Sequence, residues 1–135
     1  MLSQTARYAL RAAVLIAERD SGSPIQVKEM AETLDVPRNY LSKVLHRLAQ
    51  AGLLTSTRGR AGGFKLNRAP DLVTLGEVMA CLEPADANEG RCLLGRAECS
   101  DEDPCTAHEQ WCALRAQVDR FFEHTTLADL ARGPT

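Results

Sequence analysis

The sequence predicts a mainly α-helical protein carrying one small two-stranded hairpin. Three observations predict it. Apolar residues recur at helical spacing over five separate stretches, and a basic, glycine-rich hexapeptide stands between two short β-prone runs. Aromatic residues supply only 4% of the 135 residues while apolar residues supply 44%, so the core has to be built from Leu, Ala, Val and Ile. The length suits one domain with an appended dimerisation element.

Taken in order, Gln4 to Arg19 reads as a helix apolar over most of its circumference, buried on several sides. Asp20-Ser21-Gly22-Ser23-Pro24 stops it with consecutive breakers. Val27, Met30, Ala31 and Leu34 mark a short second helix, and Asp35-Val36-Pro37 a tight turn, because Pro37 disfavours helical geometry at Val36. From Arg38 a third helix places Leu41, Val44, Leu45 and Leu48 on one stripe until Gly52 ends it. Leu53–Thr57 and Phe64–Leu66 then read as strands joined by Arg58-Gly59-Arg60-Ala61-Gly62-Gly63. Helix, turn, helix and basic hairpin in this order describe a winged helix-turn-helix with a two-stranded wing. Beyond it, Leu72, Leu75, Val78, Met79 and Leu82 suggest one helix ending near Glu83-Pro84. Ala85 to Pro104 has no periodicity and reads as a long cysteine-bearing loop, of a length that usually signals function. Helical spacing returns from Thr106 to His124, where Trp111, Leu114, Val118 and Phe121 form a narrow seam suited to a dimerisation helix. The organisation expected is a DNA-binding domain over 1–68, a connecting helix and cluster-binding loop over 69–105, and a dimerisation helix with a C-terminal segment over 106–135.

Charge divides the same way. Residues 1–68 hold 11 Lys/Arg against 5 Asp/Glu, residues 69–135 hold 5 against 13, and the formal total is −2. Only the first half is suited to a polyanion. No window approaches a membrane span and no cleavage pattern follows the apolar run Ala9–Ala17, so a soluble cytoplasmic protein is expected. No nucleophile–base pair, paired catalytic carboxylates or phosphate loop is present, which argues against an enzyme.

With the leucine stripe inward, the third helix turns Asn39, Ser42, Lys43 and His46 outward, with Arg38 at its start. These are hydrogen-bonding types suited to base edges in the major groove of double-stranded DNA. Arg58, Arg60 and Lys65 on the wing, together with Arg47, are expected nearer phosphates or the minor groove. The wing glycines permit a tight turn and a close approach of backbone to DNA.

Five cysteines, at 81, 92, 99, 105 and 112, all lie in the second half; an odd count without a secretion signal argues against a disulfide framework. Cys92-x6-Cys99-x5-Cys105-x2-His108 gathers four soft ligands, suited to zinc or an iron–sulfur cluster, without the paired CxxC spacing of zinc ribbons or ferredoxins. His108 and Cys112 share a helix face with Cys105 and are rivals for a fourth position. Cys81 sits in an apolar helical run, where a buried, inert thiol is expected.

These residues resemble the Rrf2 family of winged-helix regulators, which includes an iron–sulfur cluster regulator and a nitric-oxide-sensing repressor. The resemblance rests on Arg7-Tyr8-Ala9-Leu10, on Asn39 through Leu45, on Arg58-Gly59-x-x-Gly62-Gly63-Phe64-x-Leu66, on Cys92, Cys99, Cys105, His108 and Trp111, and on Thr126 through Leu130. It implies a homodimer bound to a pseudo-palindromic operator and a cluster held by three cysteines plus a variable fourth ligand. His108, three residues after the last cysteine, matches the histidine that fills this place in some members. Where other members use an acidic residue of the first helix, Arg7 stands here and does not ligate iron. The resemblance therefore favours a 2Fe–2S centre on Cys92, Cys99, Cys105 and His108, with 4Fe–4S as the other nuclearity. A structural zinc site or a thiol switch on the same winged-helix frame is the alternative. The chain departs from the iron–sulfur regulator in a first cysteine interval one residue longer, in Ser42 where that protein has a glutamate governing its choice of sites, and in a shorter tail. A switch between two classes of DNA site is accordingly not expected.

Overall fold

A computed structural model describes residues 3–19, 22–60, 62–82 and 107–131. The expected cysteine loop, with Cys92, Cys99 and Cys105, lies outside these residues. Helix α1 (Gln4–Glu18) begins at Ser3, whose Oγ accepts the Ala6 amide at 3.1 Å. Its Ala6, Ala9, Ala12 and Ala13 are at most 2% exposed, so neighbouring elements come close to its axis. Helices α2 (Val27–Leu34) and α3 (Arg38–Gln50) pack on it. Between them Asp35 takes the left-handed conformation at φ +56°, and its amide closes α2 onto Ala31. The Arg11 guanidinium of α1 donates to the Leu34 carbonyl at 2.6 Å, satisfying one of the acceptors that a helix end leaves open. Leu41, Val44, Leu45 and Leu48 are all buried, as the periodicity predicts.

Strands β1 (Leu54–Thr57) and β2 (Gly63–Leu66) pair antiparallel from Leu54↔Leu66 to Thr57↔Gly63. The wing does not stand alone. Ile25, just ahead of α2, exchanges two hydrogen bonds of 2.9 Å with Phe64, adding a third backbone segment at the hairpin's root. This bridge brings the Ile25 carbonyl so near Gly63 that a Cβ there would lie 2.2 Å from its oxygen, and Gly63 also has φ +149°. At Gly62 a Cβ would meet the Thr57 carbonyl at 2.2 Å. Two of the wing glycines therefore serve approach of the chain to itself.

The single helix expected through Leu72 and Leu82 is divided. Pro70–Leu72 forms a 3-10 turn, Val73 and Thr74 are extended, and α4 runs over Leu75–Ala80. The reason is tertiary. Thr74 pairs with Thr126, while Leu75 N–H donates to Thr125 and Leu127 N–H to Val73, each at 2.9 Å. Such pairing requires extended backbone and overrides the helical spacing. Helix α5 (His108–His124) leads to this junction and α6 (Leu127–Ala131) follows it. Thr126 Oγ1 accepts the Asp129 amide and Asp129 Oδ2 accepts the Thr126 amide, a reciprocal cap that starts α6. Helix α6 returns to pack on α1, and Leu127 is fully buried there. No helix among the described residues is long and apolar enough to cross a membrane.

Gly63→Ala should lower stability by more than about 2 kcal/mol, since the methyl meets backbone that cannot move aside. Chemical denaturation measures it, with Gly22→Ala, at a glycine facing open space, as the comparison.

Candidate nucleic-acid interface

The recognition helix of a helix-turn-helix is useful only if its outer face is rigidly aimed, and here two neighbours aim it. On one side is the wing. Arg38 and His46 join Gln26, Lys28, Thr57 and Gly59 around a depression of about 350 Å³. The His46 ring packs edge-to-face on Phe64 with centroids 5.3 Å apart, so the root of the wing fixes its orientation. Gln26 Nε2 donates to the Arg60 carbonyl, anchoring the wing's tip to the start of α2. The side chains of Arg58, Arg60 and Lys65 belong to exposed residues, whereas Ser42 is half-buried in the middle of the α3 face.

On the other side is α1. Asn39 and Lys43 border a second depression, of about 420 Å³, with Gln4, Tyr8, Pro37 and Tyr40. Tyr8 and Tyr40 meet at right angles, 5.4 Å between centroids. Both tyrosines fall within the sequence motifs of α1 and α3, which do not show that the two rings meet. Only tertiary contact joins them, across 32 positions, so no local spacing reveals the pair.

Arg47 departs from its expected place near phosphate. Its guanidinium donates to the Leu82 carbonyl at 2.9 Å and ties the last turn of α3 to the end of α4. Cys81, alongside, is half-buried rather than buried, and its thiol donates to the Glu77 carbonyl at 3.1 Å. Burial pushes that thiol's pKa up, Glu77 adds to the rise and Arg68 offsets part of it.

Of the expected metal ligands, His108 alone is among the described residues. It occupies the first position of α5, half-buried, with both ring nitrogens 3.8 Å from Cys112 Sγ. The rivals for the fourth position thus sit side by side. Among the described residues no three His, Cys, Asp or Glu side chains converge as a metal site. The expected dimer seam lies along α5, with Leu114 and Phe121 both 47% exposed and Trp111 and Val118 half-buried. Its neighbour Phe122, which the seam omits, packs against the core instead.

Comparison with known proteins agrees with this geometry. The family model Rrf2, an iron-dependent transcriptional regulator, matches residues 2–133. An HTH-type regulator of Aquifex aeolicus is 38% identical over 96% of this chain and 90% of its own. The HTH-type regulator IscR of Vibrio atlanticus is 30% identical over 97% of this chain and 75% of its own. Among solved structures, CymR, the global cysteine regulator of Bacillus subtilis, superposes with a TM-score of 0.83 at 29% identity, covering 100% of this chain and 98% of that one.

Arg60→Ala should weaken selected and scrambled duplex alike and flatten the dependence of log affinity on log salt by about one unit. Lys43→Ala should cost about 1–3 kcal/mol on particular base pairs instead. Arg47→Ala should lower thermal stability and leave the salt slope unchanged. Anisotropy titrations over a salt series, with thermal melts, separate the three.

Proposed function

The chain belongs to the Rrf2 family of transcriptional regulators, which bind DNA and are not enzymes, and from that premise we propose that it is a homodimeric repressor controlled by an iron–sulfur cluster. The cluster is 2Fe–2S, with 4Fe–4S as the other nuclearity, and its ligands are Cys92, Cys99, Cys105 and His108. The observation that carries this reading is the donor set. Three thiols and an imidazole fall within residues 92–108, and the imidazole stands on the first turn of α5. Thiolate with imidazole is the soft combination that suits iron–sulfur chemistry. The iron dependence named for the family and the similarity to IscR point the same way. A bound cluster supplies a centre sensitive to iron and oxidant supply, and its ligation links the segment after α4 to the start of α5. Cys112, its Sγ 3.8 Å from both ring nitrogens of His108, is the rival for the fourth position. The similarity to CymR, a cysteine regulator, supports a second reading in which the same thiols act without iron.

Dimerisation is proposed along α5. Seventeen residues long, this helix has none of them buried within the chain, yet it carries Trp111, Leu114, Val118 and Phe121 on one stripe. A second copy would cover them, and its two-fold axis would pair two recognition helices with a pseudo-palindromic operator, half-sites about 10 base pairs or a multiple apart.

Protein purified without oxygen should be brown and contain iron and sulfide. Replacing Cys92, Cys99 or Cys105 by Ser should remove the colour, and Cys81→Ser should keep it. His108→Ala should give a labile cluster. The same lability from Cys112→Ala, with His108→Ala unaffected, would reverse the choice of fourth ligand. Colourless wild-type protein holding zinc would select the second reading.

Val118→Glu should produce monomer or insoluble protein, read by light scattering. A soluble dimer with normal operator affinity would refute the seam.

A further inference from the structure

We propose that the depression between α1 and α3 is a second contact site for DNA, one that grips a phosphodiester flanking the groove occupied by α3. The proposal rests on the DNA-binding reading of α3 and adds α1 to the interface. Its chemistry is that of a donor cluster. Gln4 Nε2 donates to the Tyr8 hydroxyl oxygen at 2.6 Å, so that oxygen is the acceptor and the hydroxyl hydrogen remains to be donated outward. Thr5 Oγ1 meets the Tyr40 hydroxyl, and the perpendicular Tyr8–Tyr40 contact holds both rings in place. The Lys43 ammonium and the Asn39 amide border the same space. A phosphodiester oxygen only accepts, and every one of these groups can donate.

Charge argues the same way. From Gln4 to Ala17, and throughout α3, no Asp or Glu occurs, although the chain holds 18 of them. The surface is also continuous with the reading face, since Asn39 and Lys43 belong to both. A partner that enters along α3 therefore runs its backbone past Tyr8. Phosphate contacts of this kind orient a protein on the duplex and carry no sequence information themselves.

The test uses the full chain and a duplex that it selects from a random library, with a scrambled duplex beside it. Tyr8→Phe keeps the ring contact and removes only the hydroxyl. It should weaken both duplexes by about 10-fold, the cost of one hydrogen bond to a charged group. Because a neutral hydroxyl displaces no counterion, the salt slope should not change. Gln4→Glu, at an exposed position, should weaken both as well, because the carboxylate accepts the hydrogen bond of the Tyr8 hydroxyl and repels phosphate. Neutral methylphosphonates placed one at a time along the duplex should reveal a flanking position that weakens wild type and has no further effect on Tyr8→Phe. Wild-type affinity of both variants on both duplexes would overturn the proposal, and so would a Tyr8→Phe loss confined to the selected duplex, which indicates a base contact. Failure of the wild type to select any duplex would instead refute the DNA-binding reading.

Discussion

Because Ala6, Ala9, Ala12 and Ala13 bring only methyl groups to the interior, α2, α3, α4, β2 and α6 can all lie against α1 at once. Every surface used for recognition is built outward from that thin helix. Its close neighbour α3 is held at the correct depth by leucines, and the reading face follows from where those leucines point. A larger side chain at any of the four alanines would push a whole element outward, since well-packed interiors accommodate extra volume poorly.

The basic half of the chain is not uniformly devoted to a polyanion. Of its 11 Lys/Arg, Arg11 and Arg47 close helix ends, and Arg19 and Arg68 pair with Glu29 and Glu77. The two ion pairs are exposed and contribute little to stability. The two carbonyl contacts matter more for shape, because each joins helices distant in sequence. Arg47 in particular connects the recognition helix to the residue from which the chain departs toward its cysteines.

Much of this was legible from residue order. The helix-turn-helix and the hairpin follow from periodicity, proline and glycine, all local signals, and their limits agree with the structure to within a residue or two. The core stripe of α3 was legible for the same reason. What local pattern could not show was what contacts at long range impose. Val73 and Thr74 leave helical geometry to pair with the Thr125–Leu127 strand-like turn. Arg47 looks like any surface arginine until Leu82 is seen beside it. Tyr8 and Tyr40 lie on different helices, and Phe122 rather than Phe121 turns inward. The proposed cluster ligands stand out as a donor pattern in the sequence, and His108 is the one of them among the described residues.

The bridge between Ile25 and Phe64 has a mechanical consequence. A hairpin joined to its domain only through its two strands can swing like a hinged arm, and its reach then varies with thermal motion. This one is riveted at its base by backbone on three sides and tethered near its tip by Gln26. It behaves as a gear tooth cut from the same block as the helix beside it. Geometry that is fixed in this way cannot be retuned by bending the tooth. Any change in its engagement with a groove has to come from displacing the entire block.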